Sequence, residues 1–170
     1  MTVELHFNRF DEWTAAREAL PAAERAARDA LSRRDPPEGD GGESPGGEVS
    51  FTCLAADEIT EMNRRYLDRD RPTDVIAFPL SDPDAPPVGD VYLCPDVARE
   101  SAAERGLPAA EEIVRLVVHG ALHVLGHVHP EGEGRESSEM YRLQEEIVER
   151  ALERGAPGRR GGAAEGEDRA

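Results

Sequence analysis

Two segments of the N-terminal half alternate between apolar and polar residues. TVELHF (residues 2–7) places its apolar side chains at every second position, and VSFTC (residues 49–53) does the same. A period of two is typical of a strand with one buried face. The segment 11–34 between them favours helix, and we expect Pro21 to divide it into a short turn and a longer helix.

Helical spacing returns in the segment that follows the second strand. Ile59, Met62 and Tyr66 recur at intervals of three and four residues, and Asp57 is the predicted N-cap. We expect this helix to end near the charged string LDRDR. The next two runs, TDVIAF and GDVYLC, are rich in β-forming residues and flank a proline-rich loop, so they predict two buried strands.

The C-terminal half is predicted to hold three helices. Asp96 is the expected cap of a small helix that stops before Gly106. From 108 to 126 apolar residues occupy every side, which is typical of a buried central helix. The segment 136–153 is amphipathic. Its predicted apolar stripe consists of Met140, Leu143, Ile147 and Ala151.

The remaining segments set the expected domain limits. Residues 35–48, DPPEGDGGESPGGE, are crowded with Gly, Pro and acidic residues, so we expect a flexible surface loop. The composition of residues 154–170 predicts a disordered tail. A length of 170 residues suits one globular unit. Residues 1–153 are therefore predicted to form a single domain.

Composition limits the partners and the compartment. The chain has 20 basic residues, all Arg, against 36 acidic ones, for a net charge of −16. Such a surface repels polyanions on average, although a local basic patch can still attract a nucleic acid. The only thiols, Cys53 and Cys94, form no close-set pair and are expected to be reduced and buried. We expect a cytoplasmic protein that has no contact with membranes.

Four of the five histidines lie in HGALHVLGHVH, which starts at His119. His119 and His123 share one helix face, and Gly126 offers a left-handed turn that brings His129 to them. Three separately buried imidazoles would be costly, so a shared ion is favoured over independent roles. Three neutral nitrogens leave one tetrahedral position open, which predicts one catalytic zinc per chain. His127 is expected to point elsewhere.

The same spacing, H-x3-H-x2-G-x2-H, occurs in zinc proteases of the metzincin type. Those enzymes need a glutamate directly after the first histidine as general base. Gly120 holds that position here and cannot accept a proton. The sequence therefore favours a hydrolase other than a protease.

HGALHVLGHVH resembles the HGxLHLxGYDH signature of the YbeY endoribonucleases. The segments RPTDVIAFP, VGDVYLC, MNRRY and SSEMYRLQEEIV also resemble that family, in order, over about residues 49–153. The resemblance implies an α+β fold, a small mixed sheet packed with helices, with a zinc cleft formed by the central HxxxH helix and its Gly turn. It also implies that His119, His123 and His129 are zinc ligands.

By the same resemblance, the activity is metal-dependent cleavage of single-stranded RNA. The implied roles are small-subunit rRNA maturation and ribosome quality control, and the implied partners are rRNA and the small ribosomal subunit, with no DNA expected. Two other functions stay open. One is a metal-dependent hydrolase of a peptide or small molecule, and the other is a non-catalytic, zinc-containing ribosome assembly factor.

Two positions depart from the family pattern. The family's Asp before its last histidine falls on Val128, and its Arg after Tyr falls on Leu67. Loss of the Asp is expected to loosen ligand orientation, and loss of the Arg removes a natural phosphate partner. Arg65 or Arg69 are weak candidates to replace it, with solvated salt bridges to nearby acids as the alternative.

Acidic residues near these motifs have open roles. Asp74 and Asp90, at the edges of the predicted strands, are candidates either to hold ligands or water or to cap turns. Glu131, Glu133 and Glu136 are expected to form a solvated loop, from which one could contact the metal or its ligands. No general base is assigned.

Overall fold

The computed structural model describes residues 2–33 and 46–155. These ranges contain four strands and five α-helices, as the resemblance implied for an α+β fold. The strands are β1 Val3–Asn8, β2 Gly47–Cys53, β3 Val75–Pro79 and β4 Val88–Leu93. The helices are α1 Thr14–Ser32, α2 Ala56–Leu67, α3 Pro95–Arg105, α4 Ala109–Val124 and α5 Glu139–Gly155. A 3-10 turn, Phe10–Glu12, precedes α1.

The four strands form one mixed sheet in the order β1-β2-β4-β3. β1, β2 and β4 run parallel, and β3 pairs antiparallel to β4. Phe51 stands opposite Phe7 on one side and Val91 on the other. Inward-facing residues of β2 and β4 are fully buried, because helices cover this face of the sheet. The small mixed sheet is confirmed.

Helix α4 is the centre of the fold, as its apolar residues on every side predicted. It packs against α1, α3, α5 and the strands β3 and β4. At Gly120 the helix approaches the sheet so closely that a Cβ there would clash with the side chain of Val91. Among the described residues, no helix is long and apolar enough to cross a bilayer.

The expected break at Pro21 is wrong, because α1 runs through it without interruption. The proline is exposed, so its ring lies on the solvent side of the helix. The opposite face is held against the core by small side chains, and this packing outweighs the lost backbone hydrogen bond. The buried alanines are Ala16, Ala19, Ala23, Ala26, Ala27 and Ala30.

Neither predicted aspartate caps its helix. Asp57 lies in the first turn of α2, where Glu58 accepts a hydrogen bond from the Ala55 backbone N–H at 3.0 Å. Asp96 lies in the first turn of α3, which begins with Pro95 at its N-terminus. Acidic side chains in a first turn are still favourable, since they face the positive end of the helix dipole.

Three predicted boundaries move. Gly47 and Glu48, assigned to the flexible loop, belong to β2, and the Glu48 N–H donates to the Pro87 carbonyl at 2.9 Å. Residues 34–45 of that loop lie outside the described residues. Helix α5 starts at Glu139 and extends to Gly155, into the predicted tail. Residues 156–170 of the tail are not described.

Candidate metal centre

The turn after α4 follows the geometry that the sequence predicted for Gly126. Its φ of +92° is left-handed, a conformation that glycine adopts without strain. The Gly126 N–H donates to the His123 carbonyl at 2.9 Å, and the His127 N–H donates to the Leu122 carbonyl at 3.0 Å. This pair of bonds is a Schellman motif, which ends the helix and reverses the chain.

The reversal brings His129 back to the two histidines of α4. One ring nitrogen from each of His119, His123 and His129 lies within 4.8 Å of the others. The ring centroids are 4.6 to 5.1 Å apart. His127 is exposed and lies outside this group, as predicted. The structure therefore places all three predicted ligands at one site.

Each histidine of the group uses its Nδ1 atom for a contact with an oxygen. His119 Nδ1 lies 2.7 Å from Gln144 Oε1, and His123 Nδ1 lies 3.0 Å from the His127 carbonyl. His129 Nδ1 lies 2.9 Å from the Pro130 carbonyl. Carbonyl oxygens only accept, so each Nδ1 carries a proton, and in the neutral form of each ring Nε2 presents a lone pair.

The arrangement of these lone pairs fits a bound metal ion. His119 Nε2 and His123 Nε2 are 3.0 Å apart, and no proton lies between them when both Nδ1 atoms are protonated. Two facing lone pairs repel each other unless a cation lies between them. Zinc bound to two imidazoles at about 2.0–2.1 Å would hold their nitrogens about 3.3 Å apart.

His119 and His123 also favour the protonation state that binds metal. Burial lowers the pKa of His119 to about 4. The hydrogen bond to Gln144 opposes this shift, whereas the charge of Arg135 lowers the pKa further. Burial likewise lowers the pKa of His123. Neutral imidazole is the form that coordinates a metal, so no proton has to leave at neutral pH.

Of the predicted acidic residues, none of the described ones joins the three histidines. Asp90 accepts a hydrogen bond from Ser50 at 2.6 Å across the paired strands, which gives it a structural role. Glu131 forms an ion pair with Arg69 at 3.8 Å on the surface. Asp74 and Glu136 line a cleft beside His119.

That cleft has a volume of about 240 Å³ and contains three arginines, Arg105, Arg115 and Arg135. Arg105 and Arg115 both pair with Glu112, which is buried between them. Arg135 forms no ion pair within the described residues, and it also lines a second, smaller cavity that His119 and His129 share. The cleft therefore offers one unpaired cation next to the metal centre.

Sequence reasoning missed both Arg135 and Gln144. Gln144 is buried on the face of α5 that also buries Met140 and Ile147, whereas Leu143, assigned to this stripe, is only partly buried. A polar residue at a buried helix position was a signal that could have been found. Arg135 lies in an irregular segment, and no periodic pattern points to it.

Comparison with known proteins gives a consistent family. The sequence model described as Endoribonuclease YbeY matches residues 15–152. The chain is similar to endoribonuclease YbeY of Persephonella marina, with 42% identity over 108 residues, 60% of this chain and 69% of that protein. For the Mycobacterium ulcerans protein of the same name the identity is 38% over 117 residues, 62% and 65% of the two chains.

A third relative, from Thermotoga maritima, is 39% identical over 101 residues, 59% of this chain and 65% of that protein. The chain thus spans about two thirds of the length of these relatives. A solution structure of a Thermotoga maritima protein has the same fold, with a TM-score of 0.59 and 26% identity. The likeness covers 92% of this chain and 98% of that one.

Proposed function

This chain belongs to the YbeY family of endoribonucleases, and from that premise we propose that it uses one zinc ion, held by His119, His123 and His129, to cleave single-stranded RNA. The proposed setting is the cytoplasm, in maturation and quality control of the small ribosomal subunit. The observation that carries the proposal is the set of three Nε2 lone pairs that converge beside an open cleft.

The ligand set favours zinc over magnesium or calcium. Imidazole nitrogen suits zinc and other late first-row metals, whereas magnesium and calcium prefer oxygen ligands. A divalent ion at this site supplies Lewis acidity, which makes water a better nucleophile and stabilises negative charge on a phosphoryl oxygen. The three histidines leave a coordination position open for that chemistry.

The cleft beside His119 is the proposed place for the RNA strand. Arg135 lines this cleft, where its guanidinium can donate to a phosphate of the strand. We rank Arg135 above Arg65 and Arg69 as the phosphate contact. Neither Arg65 nor Arg69 lines the two cavities beside His119, and Arg69 is already paired with Glu131. Leu67, in the family's arginine position, is half exposed.

Net charge supports a dependence on a docking partner. At −16 the chain repels bulk RNA, so binding in the cell is expected to require the small ribosomal subunit. Peptide hydrolysis is disfavoured, because Gly120 packs against Val91 and leaves no room for a general base at that position.

The test compares RNA cleavage with metal content in one preparation. Zinc-loaded protein should cleave a labelled single-stranded RNA, spare the matching duplex, and lose activity with a chelator. Arg135→Gln should raise KM several-fold and lower the salt dependence of RNA binding by about one charge, while Arg65→Gln leaves both unchanged. Binding to the small subunit without cleavage would instead indicate the non-catalytic assembly factor.

A further inference from the structure

A chain of hydrogen bonds between α4 and α5 ends on the buried side of His119. Arg115 donates to Glu145 through two nitrogens, at 2.7 and 3.1 Å. Gln144 donates its amide N–H to Glu145 Oε1 at 3.2 Å and presents its Oε1 to His119 Nδ1 at 2.7 Å. The side chain of Gln144 is therefore fixed at both ends, between a carboxylate and a metal-site histidine.

The charge of Glu145 decides which end of the Gln144 amide faces His119. The opposite orientation would place the amide oxygen against a carboxylate and lose that hydrogen bond, while the amide N–H could donate to Nδ1 only in the other tautomer of His119. Gln144 is 5% exposed and His119 is 7% exposed, so water cannot replace the bond to Glu145 at low cost. The bond to Glu145 therefore favours the orientation that presents an acceptor to Nδ1.

Arg115 in turn holds Glu145 in place. Its guanidinium, 11% exposed, is also bound by Glu111 and Glu112 of its own helix, which limits its movement. Burial acts to raise the pKa of Glu145, yet the hydrogen bonds from Arg115 and Gln144 hold it below the ordinary value. Glu145 is thus a fixed negative charge at neutral pH.

We propose that Gln144, oriented by the Arg115–Glu145 ion pair, is the positioning residue that holds His119 in its Nδ1–H tautomer and presents Nε2 to a divalent metal ion. The inference deepens the proposed function, because it takes the metal site as given. It concerns the metal-free protein, so it can fail while RNA cleavage is confirmed, and it can hold while cleavage is not observed.

The experiment reads the tautomer directly. In metal-free protein labelled with 15N, the ring nitrogens of His119 are observed by two-dimensional NMR at neutral pH, and zinc affinity is measured by competition with a chromophoric chelator. The parent should show a protonated Nδ1 and a bare Nε2. Gln144→Met keeps the size but removes the acceptor, so the Nε2–H tautomer should appear and the zinc Kd should rise about 10–100-fold.

A second pair of variants separates orientation from packing. Glu145→Gln removes the charge that orients the amide, and a mixture of tautomers with a several-fold higher Kd is expected. The exchange, the double variant Gln144→Glu with Glu145→Gln, places a carboxylate acceptor at His119 Nδ1. The new amide at position 145 can donate to that carboxylate. This double variant should recover the Nδ1–H tautomer and most of the affinity, which a purely structural role would not produce.

Glu146→Gln is the matched control. It removes one negative charge from the same helix, but Glu146 is 56% exposed and pairs with Arg33 and Arg150, away from Gln144. The His119 signals and the zinc Kd should stay at parent values. An Nε2–H tautomer in the parent would overturn the inference, as would unchanged signals in both Gln144→Met and Glu145→Gln. If Gln144→Met does not fold, Glu145→Gln and the exchange decide.

Discussion

The two histidines of α4 and the third histidine are held by different means. His119 and His123 stand one turn apart on a helix that is packed by three other helices and the sheet. His129 belongs to the ligand loop, residues 126–138, in which every residue from 130 to 137 is exposed. The helix therefore fixes two of the proposed ligands, whereas the position of the third depends on an exposed turn.

The partners of the ring nitrogens differ in the same way. His119 is oriented by a side chain, Gln144, that is fixed by packing of α5. His123 and His129 are oriented by backbone carbonyls of the ligand loop. Side-chain partners can be changed by substitution and backbone partners cannot, so the two parts of the site should respond to different mutations.

Removal of a ligand should give the largest effect and should distinguish the two parts. His123→Ala leaves only one helical ligand and should abolish retention of zinc, which elemental analysis of gel-filtered protein measures as a fall from about one ion per chain to near zero. His129→Ala keeps the helical pair, so weaker binding should remain, with a Kd raised more than about 100-fold. Equal, full retention of zinc in both variants would contradict the site.

Glycine substitutions should separate packing from backbone conformation. Gly120→Ala pushes a Cβ into Val91, which costs about 1–3 kcal/mol and is offset by about 1 kcal/mol of helix propensity. The free energy of unfolding, measured with denaturant, should therefore fall by up to about 2 kcal/mol. Gly134, at φ +88°, lies in open space in the ligand loop.

Gly134→Ala is the counterpart of that variant. The left-handed backbone costs about 1 kcal/mol with a Cβ, but the loop is not part of the core. Zinc affinity should fall by a few-fold while the denaturant midpoint of metal-free protein stays near the parent value. A large loss of global stability in this variant would show that the ligand loop is more integrated than its exposure indicates.

The pH dependence of the free energy of unfolding should reveal the ion pair between Glu145 and Arg115, which orients Gln144 beside His119. The folded-state pKa of Glu145 lies below its ordinary value of 4.5, so its ion pair stabilises the fold above that pH and is lost as the pH falls through the folded pKa. Glu145→Gln should cost about 1 kcal/mol at pH 7, since the carboxylate is a third exposed. Denaturation at several pH values should show this difference shrinking as the pH falls below 4.5 and vanishing below the folded pKa of Glu145.

Val128→Asp should have the smallest effect. The side chain of Val128 is 82% exposed, and backbone carbonyls already orient His123 and His129. Restoring the family's residue should change the zinc Kd by less than about two-fold, in the chelator competition assay. A ten-fold lower zinc Kd would contradict this expectation, because it would mean that a carboxylate at position 128 contacts the ring of His123 or His129.

Local patterns explain which features could be predicted from the sequence. The i, i+4 spacing of His119 and His123 and the left-handed turn at Gly126 depend on a few neighbouring residues. The buried position of α4 follows from its apolar surface. Family membership, and with it the mixed sheet, is confirmed because several short segments match in order.

Features that depend on packing between distant segments could not be predicted in this way. Gln144 reaches His119 only because α5 packs on α4, and Arg135 reaches the cleft only because the ligand loop folds back. The predicted break at Pro21 is wrong because the alanine face of α1 holds the helix to the core, a contact that the local pattern does not show. These errors share one cause, the tertiary contact that outweighs local preference.

The close approach of Gly120 to Val91 also bears on how this site can diversify. A zinc protease with the same histidine spacing needs a carboxylate at this position, and here a carboxylate would have to enter the interior between helix and sheet. Acquiring that chemistry means moving α4 away from β4, which would disturb the two ligands that the helix carries. A single substitution at position 120 therefore does not give this site the general base of the zinc proteases, although the histidine spacing is shared.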